Sequence, residues 1–216
     1  MKKLFIWDFH GTLEKGNENA VREYINMALA GQDYERRITD SECKLLYGKK
    51  IWEFFQYLLP EASLERCKEL MGEFLKAEQE HIDILLHHIK PNDGALEILE
   101  AIHTSPHEQI LISNTEIPML MPFINSIGAD RYFPEGYRFA THSHSGSQTT
   151  KHHRLQAFIE GKQFDHFVAI GDSPSDLDYV RAYASTTYLY SHPGWDFRDY
   201  SATYRIRDLR EVLKEL

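Results

Sequence analysis

Short apolar runs that end in polar residues recur along this chain and alternate with helix-like segments. Three such runs are Leu4–Phe9, Gln109–Asn114 and His166–Asp172, and a fourth apolar run spans Thr186–Ser191. A parallel strand that is buried on both faces reads as a continuous apolar run, so we interpret these segments as strands of a parallel sheet. Their alternation with helices predicts an α/β fold. Because ligands in such sheets bind beyond the carboxyl ends of the strands, the polar residues there form a candidate site.

Residues 16–90 differ from the rest of the chain, because they show helical spacing and no strand-like run. The predicted helices are Ala20–Leu29, Ile51–Leu59 and Ser63–Leu86. The sequence Pro-Asn-Asp-Gly at 91–94 then predicts a turn back into the sheet. We therefore expect a core domain of residues 1–15 and 91–216, with a helical domain of residues 16–90 inserted after the first strand.

The negative net charge of the chain argues against nucleic acids and anionic membranes as partners. The formal net charge is -9, and an acidic chain repels nucleic-acid phosphates and anionic lipids. No apolar stretch is long enough to span a bilayer, and the apolar start is interrupted at Asp8, too early for a signal peptide. Cys43 and Cys67 lack metal-site spacing and indicate no disulfide framework. We expect a cytoplasmic protein with no nucleic-acid or membrane partner, and the sequence leaves the oligomeric state open.

Carboxylates follow two of the predicted strands. Asp8 ends the first, and Asp172 ends the strand that precedes the sequence Gly171-Asp172-Ser-Pro-Ser-Asp176. A carboxylate at the end of a buried strand is costly unless it is paired or binds a metal. Carboxylates that converge from two strand ends form an oxygen-rich site of the kind that Mg²⁺ prefers. The alternative is that Asp8 caps a turn and that Asp176 only balances a helix dipole.

Two further segments are suited to phosphate. Ser113 and Asn114 follow the second strand, where a hydroxyl and backbone amides could hold a phosphate oxygen, although an ordinary helix cap has the same pattern. Lys151 begins the predicted helix 151–160, where a cation opposes the helix dipole. This position therefore calls for a partner such as a phosphate or a catalytic aspartate, unless the lysine is simply solvated.

Taken together, these segments resemble the four motifs of the haloacid dehalogenase (HAD) superfamily in order and spacing. The matching residues are Asp8, His10 and Thr12 for the first motif, Ser113 for the second, Lys151 for the third, and Gly171, Asp172 and Asp176 for the fourth. The helical insertion resembles the C1-type cap of phosphoglycolate-phosphatase-like members. The resemblance covers essentially the whole chain and implies a Rossmann-like core.

The resemblance also implies roles for these residues. Asp8 would be the nucleophile and form an aspartyl phosphate. Mg²⁺ would be held by Asp8, Asp172 and the backbone carbonyl of His10, with Asp176 supporting it directly or through water. The phosphate would be bound by Ser113, the amide of Asn114 and Lys151. The cap would close over the site and select the substrate.

One residue departs from the family pattern. The superfamily's phosphatases carry a second aspartate in the first motif, as a general acid/base, where this chain has His10. Histidine titrates near neutral pH and can serve as acid and base in turn. An extended strand end would place its side chain on the same face as that of Asp8. The alternative is that acid/base function is lost and turnover is slow or absent.

The sequence therefore predicts a Mg²⁺-dependent phosphatase that acts on a small phosphorylated metabolite. One rival is a catalytically impaired phosphate-binding or regulatory protein, which His10 suggests. A dehalogenase is a second rival, but it has no use for the metal that Asp172 and Asp176 suit. A phosphonatase is a third, and it would need a cap lysine as a Schiff base. The candidates for that lysine are Lys44, Lys49 and Lys50.

Overall fold

The computed structural model describes residues 1–47, 49–142 and 149–216. The strands in chain order are β1 (Lys3–Trp7), β2 (Glu14–Lys15), β3 (Lys90–Pro91), β4 (Glu108–Glu116), β5 (Arg138–His142), β6 (His166–Gly171), β7 (Ser185–Tyr190) and β8 (Tyr204–Ile206). The α-helices are α1 (Asn17–Ala30), α2 (Asp40–Leu46), α3 (Ile51–Leu58), α4 (Leu64–Glu80), α5 (Ile82–His88), α6 (Ala95–His103), α7 (Ile117–Ser126), α8 (Lys151–Ile159) and α9 (Pro174–Leu177). Among the described helices, none combines the length and the apolar character needed to cross a membrane.

Six strands form one parallel sheet in the order β5-β4-β1-β6-β7-β8. β1 lies between β4 and β6, and Ile6 is in register with Ile110 on one side and Ala169 on the other. The four residues of β1 from Leu4 to Trp7 are fully buried, which accounts for their unbroken apolar sequence. The prediction of an α/β fold built on a parallel sheet is confirmed.

Successive side chains of β1 point to opposite faces of the sheet. Leu4 and Ile6 belong to one hydrophobic cluster, together with Leu155 and Phe158 of α8. On Trp7 the indole nitrogen Nε1 donates to Oε1 of Gln109 at 3.3 Å. The amide of Gln109 in turn donates to the backbone oxygen of Leu99 in α6 at 2.9 Å. The sheet is thus fixed to α6 and α8 by both apolar packing and a buried hydrogen-bond chain.

The chain divides into two compact units, Met1–Lys15 with Lys90–Leu216, and Gly16–Ile89. At the boundary of the first unit, β2 and β3 form a two-stranded antiparallel ribbon that pairs Glu14 with Pro91 and Lys15 with Lys90. The ribbon brings together the two points at which the chain leaves and re-enters this unit.

The second unit consists of α1 to α5, and its helices differ in two respects from the prediction, because α2 was not predicted and α4 and α5 were predicted as one helix. The prediction of a single helix over Ser63–Leu86 is wrong. The helix is interrupted at His81, whose backbone angles are φ -128° and ψ 45°. The hydroxyl of Tyr24 donates to the backbone oxygen of His81 at 2.7 Å and accepts from the amide of Leu85 at 3.2 Å. A side chain from α1 therefore satisfies the backbone groups that the interruption releases.

Candidate active site

The carboxyl ends of β1 and β6 place two aspartates side by side. Asp8 follows β1, and its amide donates to the backbone oxygen of Ile170 at 3.0 Å, so the pairing of the strands extends to the site. Asp172 follows β6 directly after Gly171. A Cβ atom on Gly171 would lie 2.2 Å from the Cβ of Asp176, so this position can hold only glycine without displacing the third carboxylate.

A turn of π-helical type, Phe9–Leu13, follows Asp8. Gly11 takes φ 77° within it, a conformation that glycine adopts readily. The hydroxyl of Thr12 reaches back to Oδ2 of Asp8 at 3.4 Å, and Asn92 donates to the backbone oxygen of Thr12 at 2.9 Å. The regular strand ends at Trp7, although Asp8 and His10 keep extended backbone angles, with φ -81° and ψ 160° at Asp8 and φ -72° and ψ 125° at His10.

Lys151 is the centre of the charged cluster. Its Nζ donates to Oδ1 of Asp8 at 2.6 Å and to Oδ1 of Asp176 at 2.7 Å, and all three side chains are buried. A cation at the first position of α8 opposes the helix dipole, so it needs negative partners. The structure supplies two of them from other elements.

Asp176 and Asp172 are each held by a second group. Oδ2 of Asp176 accepts from the amide of Ser173 at 2.9 Å and from its hydroxyl at 2.5 Å. Oδ2 of Asp172 accepts from Nη2 of Arg198 at 3.1 Å. One carboxylate oxygen each from Asp8, Asp172 and Asp176 lies within 4.8 Å of the others, so the three could hold one metal ion.

Burial and mutual repulsion alter how these groups titrate. Burial, and then the charge of Asp176, raise the pKa of Asp8 to about 6, although Lys151 and His10 act in the opposite direction. The same two causes raise the pKa of Asp172 well above its ordinary value, against the influence of Arg198. Burial lowers the pKa of Lys151, but the charges of Asp176 and Asp8 outweigh it and raise the pKa above its usual range. The site therefore favours positive charge, which a divalent cation would supply.

Ser113 and Asn114 lie within β4 rather than after it, because the strand continues to Glu116 with a shift of register against β5. The Oγ of Ser113 is buried and has no hydrogen-bond partner among the residues that the structure describes. The side-chain oxygen of Asn114 accepts from the hydroxyl of Thr141 at 2.8 Å. Ser113 thus offers an unused polar atom, whereas the side chain of Asn114 is engaged with the neighbouring strand.

His10 contacts two kinds of group. Its Nδ1 lies 3.1 Å from Oε1 of Glu14, which is fully buried. Its ring meets those of Phe9 and Phe123 edge-on, at centroid distances of 5.1 Å and 4.9 Å. The ring is therefore held on several sides.

A family model for haloacid dehalogenase-like hydrolases matches residues 5–184, which is most of the chain. The chain belongs to this family. The predicted membership of the haloacid dehalogenase superfamily is thereby confirmed, as is the prediction of a hydrolase. No curated protein shows significant sequence similarity to the chain.

Several solved structures share the fold of this chain at low sequence identity. A family hydrolase from Streptococcus pneumoniae aligns with a TM-score of 0.76 at 13% identity, over 100% of this chain and 98% of that one. A predicted phosphoglycolate phosphatase from Haemophilus somnus gives 0.76 at 15% identity, over 99% and 97%. A subfamily IA hydrolase from Geobacter sulfurreducens gives 0.70 at 16% identity, over 100% and 96%.

Two contacts of this haloacid dehalogenase-like hydrolase were not expected from its sequence. Arg198, the partner of Asp172, comes from an irregular segment after β7 that has no periodic pattern and carries no family motif. Glu14, the partner of His10, lies four residues along the chain, a spacing at which side chains often meet in helical turns. The spacing of four residues could have indicated the contact between Glu14 and His10. Nothing in the sequence indicated the contact between Arg198 and Asp172.

Proposed function

We propose that this chain is a Mg²⁺-dependent phosphomonoester hydrolase that acts on a small phosphorylated metabolite through an aspartyl phosphate on Asp8. The observation that carries the proposal is the buried cluster in which Lys151 bonds both Asp8 and Asp176, with Asp172 beside them. A buried lysine between two carboxylates orients Asp8 and can also hold an anionic substrate.

The donor set fits magnesium. Asp8, Asp172 and Asp176 offer carboxylate oxygens, the ligand type that Mg²⁺ prefers, and the backbone carbonyl of His10 is a further candidate. Burial first, and then the negative charge of Asp176, raise the pKa values of Asp8 and Asp172. When bound, Mg²⁺ would offset the repulsion between these carboxylates and the incoming phosphate.

The residues of the chain would then divide the chemistry between them. An oxygen of Asp8 attacks phosphorus in line, and the bond from phosphorus to the leaving alcohol oxygen breaks. His10 gives a proton to that oxygen, and afterwards takes one from the water that hydrolyses the aspartyl phosphate. Because the pKa of Asp8 is about 6 even without a cation, its carboxylate is ionised at neutral pH, as a nucleophile must be.

Three groups are suited to hold the phosphoryl oxygens. Lys151 supplies a positive charge, Ser113 a hydroxyl, and Asn114 its backbone N–H. The Oγ of Ser113 supports this assignment, because a buried hydroxyl without a partner among the described residues is costly unless a ligand satisfies it. These groups would act mainly by positioning and by electrostatic stabilisation.

The helical unit Gly16–Ile89 is, in this proposal, a cap that selects the substrate, as the resemblance to phosphoglycolate-phosphatase-like members implies. A cytoplasmic location is part of the same proposal. Substitutions in the helical unit should therefore change the preference among phosphorylated metabolites more than they change the dependence on metal.

An assay on an aryl phosphate tests the proposal. We expect hydrolysis with Mg²⁺, complete loss in EDTA and recovery when Mg²⁺ is added back. Full activity in a metal-stripped sample would contradict the proposal and favour a dehalogenase, for which halide release is the measurement. Inactivation by borohydride together with a phosphonate substrate would instead favour a phosphonatase with a lysine Schiff base.

A second candidate function is phosphate binding without turnover, which the histidine at position 10 favours. The variant His10→Asp separates the two, because it restores the residue that the family's phosphatases use. An inactive natural protein that gains turnover on this substitution would support the second candidate. An active natural protein that loses turnover in His10→Ala would support the first.

A further inference from the structure

Glu14 is a buried carboxylate that the proposed mechanism does not use. It begins the short strand β2, and its side chain is fully buried. The ribbon formed by β2 and β3 needs only the backbone of this residue, which pairs with Pro91. Since a buried carboxylate is costly unless it is hydrogen-bonded, the contacts of Glu14 indicate why it is there.

One oxygen of Glu14, Oε1, contacts two groups of the preceding turn. Oε1 accepts from the amide of Gly11 at 3.1 Å and lies 3.1 Å from Nδ1 of His10. An oxygen that accepts a backbone N–H also acts as an acceptor toward the ring nitrogen, so Nδ1 carries the hydrogen. The other ring nitrogen, Nε2, is then the atom that exchanges protons.

The ring of His10 is also restricted in direction. Phe9 and Phe123 meet it edge-on, with interplanar angles of 89° and 76°. Part of the His10 side chain, 22%, is exposed. The ring is thus held by two aromatic side chains and one hydrogen bond, while one side of it stays accessible.

We propose that Glu14 is a positioning residue for His10, which fixes the Nδ1–H tautomer and the orientation of the ring so that Nε2 serves as the acid/base. The role of His10 in this inference rests on the proposed function. An aspartate at position 10 would need no such partner, because either carboxylate oxygen can exchange a proton. A histidine does need one, because its two nitrogens differ and only one tautomer presents the right atom.

Nitrogen NMR of ¹⁵N-histidine-labelled protein tests the tautomer without any need for activity. We expect His10, identified by the signal lost in His10→Ala, to carry its hydrogen on Nδ1. In Glu14→Leu the hydrogen should move to Nε2 or divide between the two nitrogens. Glu14→Gln keeps an acceptor oxygen and should keep the natural tautomer. An Nε2–H tautomer in the unsubstituted protein would overturn the proposal, whether or not the variants fold.

Kinetics test the consequence. Glu14→Leu should lower kcat by about 10- to 100-fold, the loss typical when the partner that orients an imidazole is removed. KM should stay within roughly twofold, because Glu14 contacts no substrate in this proposal. Glu100→Gln is the matched control, since Glu100 also accepts from neighbouring side chains, Arg131 and Tyr132, and has no proposed role in the reaction.

A double-mutant cycle separates positioning from packing. If Glu14 acts through His10, adding Glu14→Leu to His10→Ala should cause little further loss of kcat. An equal loss in both backgrounds would overturn the proposal. Failure of the phosphatase proposal looks different, because the natural protein would then be inactive on phosphate esters while the tautomer of His10 still responded to Glu14→Leu.

Discussion

The two units of the molecule bury different kinds of side chain. Every buried polar or charged residue among those described lies in the sheet unit, including Asp8, Glu14, Lys151 and Asp176. The buried side chains described in Gly16–Ile89 are apolar, apart from two cysteines and Tyr24, whose hydroxyl bonds only backbone. Burying a charge is costly, whereas burying an apolar side chain is stabilising. The charged site therefore lowers the stability of the sheet unit, whereas the helical unit contains no comparable buried charge among its described residues.

The strongest test of this difference removes the charge of the proposed nucleophile. Asp8→Asn keeps the shape of the side chain but can neither attack phosphorus nor bind metal well. We expect turnover to fall by roughly 10⁴-fold or more, with an unchanged circular dichroism spectrum. Asp165→Asn is the control, because Asp165 is an exposed aspartate in the same unit that bonds the amide of Lys2. Substantial turnover in Asp8→Asn would place the nucleophile elsewhere.

Removing the central cation should destabilise the fold and increase the stabilisation that Mg²⁺ provides. Lys151→Met leaves Asp8 and Asp176 buried without their shared partner, and breaking a buried pair in this way typically costs about 3–5 kcal/mol. Mg²⁺ should then raise the thermal midpoint of the variant more than that of the natural protein, because it replaces the lost positive charge. A variant as stable as the natural protein in EDTA would contradict the account of the cluster.

A core substitution in the helical unit should affect stability alone. Leu70 of α4 is fully buried, so Leu70→Ala should cost about 2–5 kcal/mol in the free energy of unfolding. Leu75 lies on the same helix but is 42% exposed, so Leu75→Ala should change that energy by less than about 0.5 kcal/mol. Denaturant unfolding measures both, and neither variant should change the Mg²⁺ concentration that gives half-maximal activity. A change in that Mg²⁺ concentration would contradict the expectation that the core of the helical unit affects stability alone.

The smallest expected effect is a dependence of stability on pH. In the metal-free protein the pKa of Asp8 is raised from 3.8 to about 6, so the folded state retains a proton that the unfolded chain releases between these values. The contribution of Asp8 to stability is therefore present below about pH 4 and is lost as the pH rises through 6. Thermal midpoints in EDTA from pH 4 to 7 should fall less steeply for Asp8→Asn than for the natural protein. Parallel curves would show that Asp8 titrates normally.

The strands at the centre of the sheet were predictable and those at its edges were not. β1, β4, β6 and β7 have continuous apolar runs, because neighbours and helices enclose them. β5 and β8 are the two edge strands, where a strand has only one neighbour and its sequence need not be apolar throughout. β8 is also only three residues long. No pattern of apolar residues could have indicated them.

The helices of Gly16–Ile89 were predictable except where they depend on a distant or very local contact. The interruption at His81 relies on the hydroxyl of Tyr24, which is far away in sequence. The short helix α2 has few apolar residues, so its periodicity is weak. The sequence feature that could have indicated α2 is the capping box, in which the side chains of Thr39 and Glu42 bond each other's backbone amides.

The residues of the candidate site were also predictable only in part. The family motifs pointed to Asp8, Lys151, Asp172 and Asp176, which the structure places together, because each residue follows a recognisable strand or begins a helix. The catalytic roles of these residues stay predictions. Arg198 could not be foreseen, because it reaches Asp172 from an irregular segment whose path depends on the whole fold.

The ribbon of β2 and β3 has a consequence for how this molecule could be rebuilt. Its paired residues, Lys15 and Lys90, already hold the two ends of the inserted segment side by side. Joining two fixed, adjacent points costs little more chain entropy for a long segment than for a short one. The sheet unit should therefore accept helical inserts of different length and origin, or a tight hairpin in their place. In that sense the ribbon makes the insertion an exchangeable module.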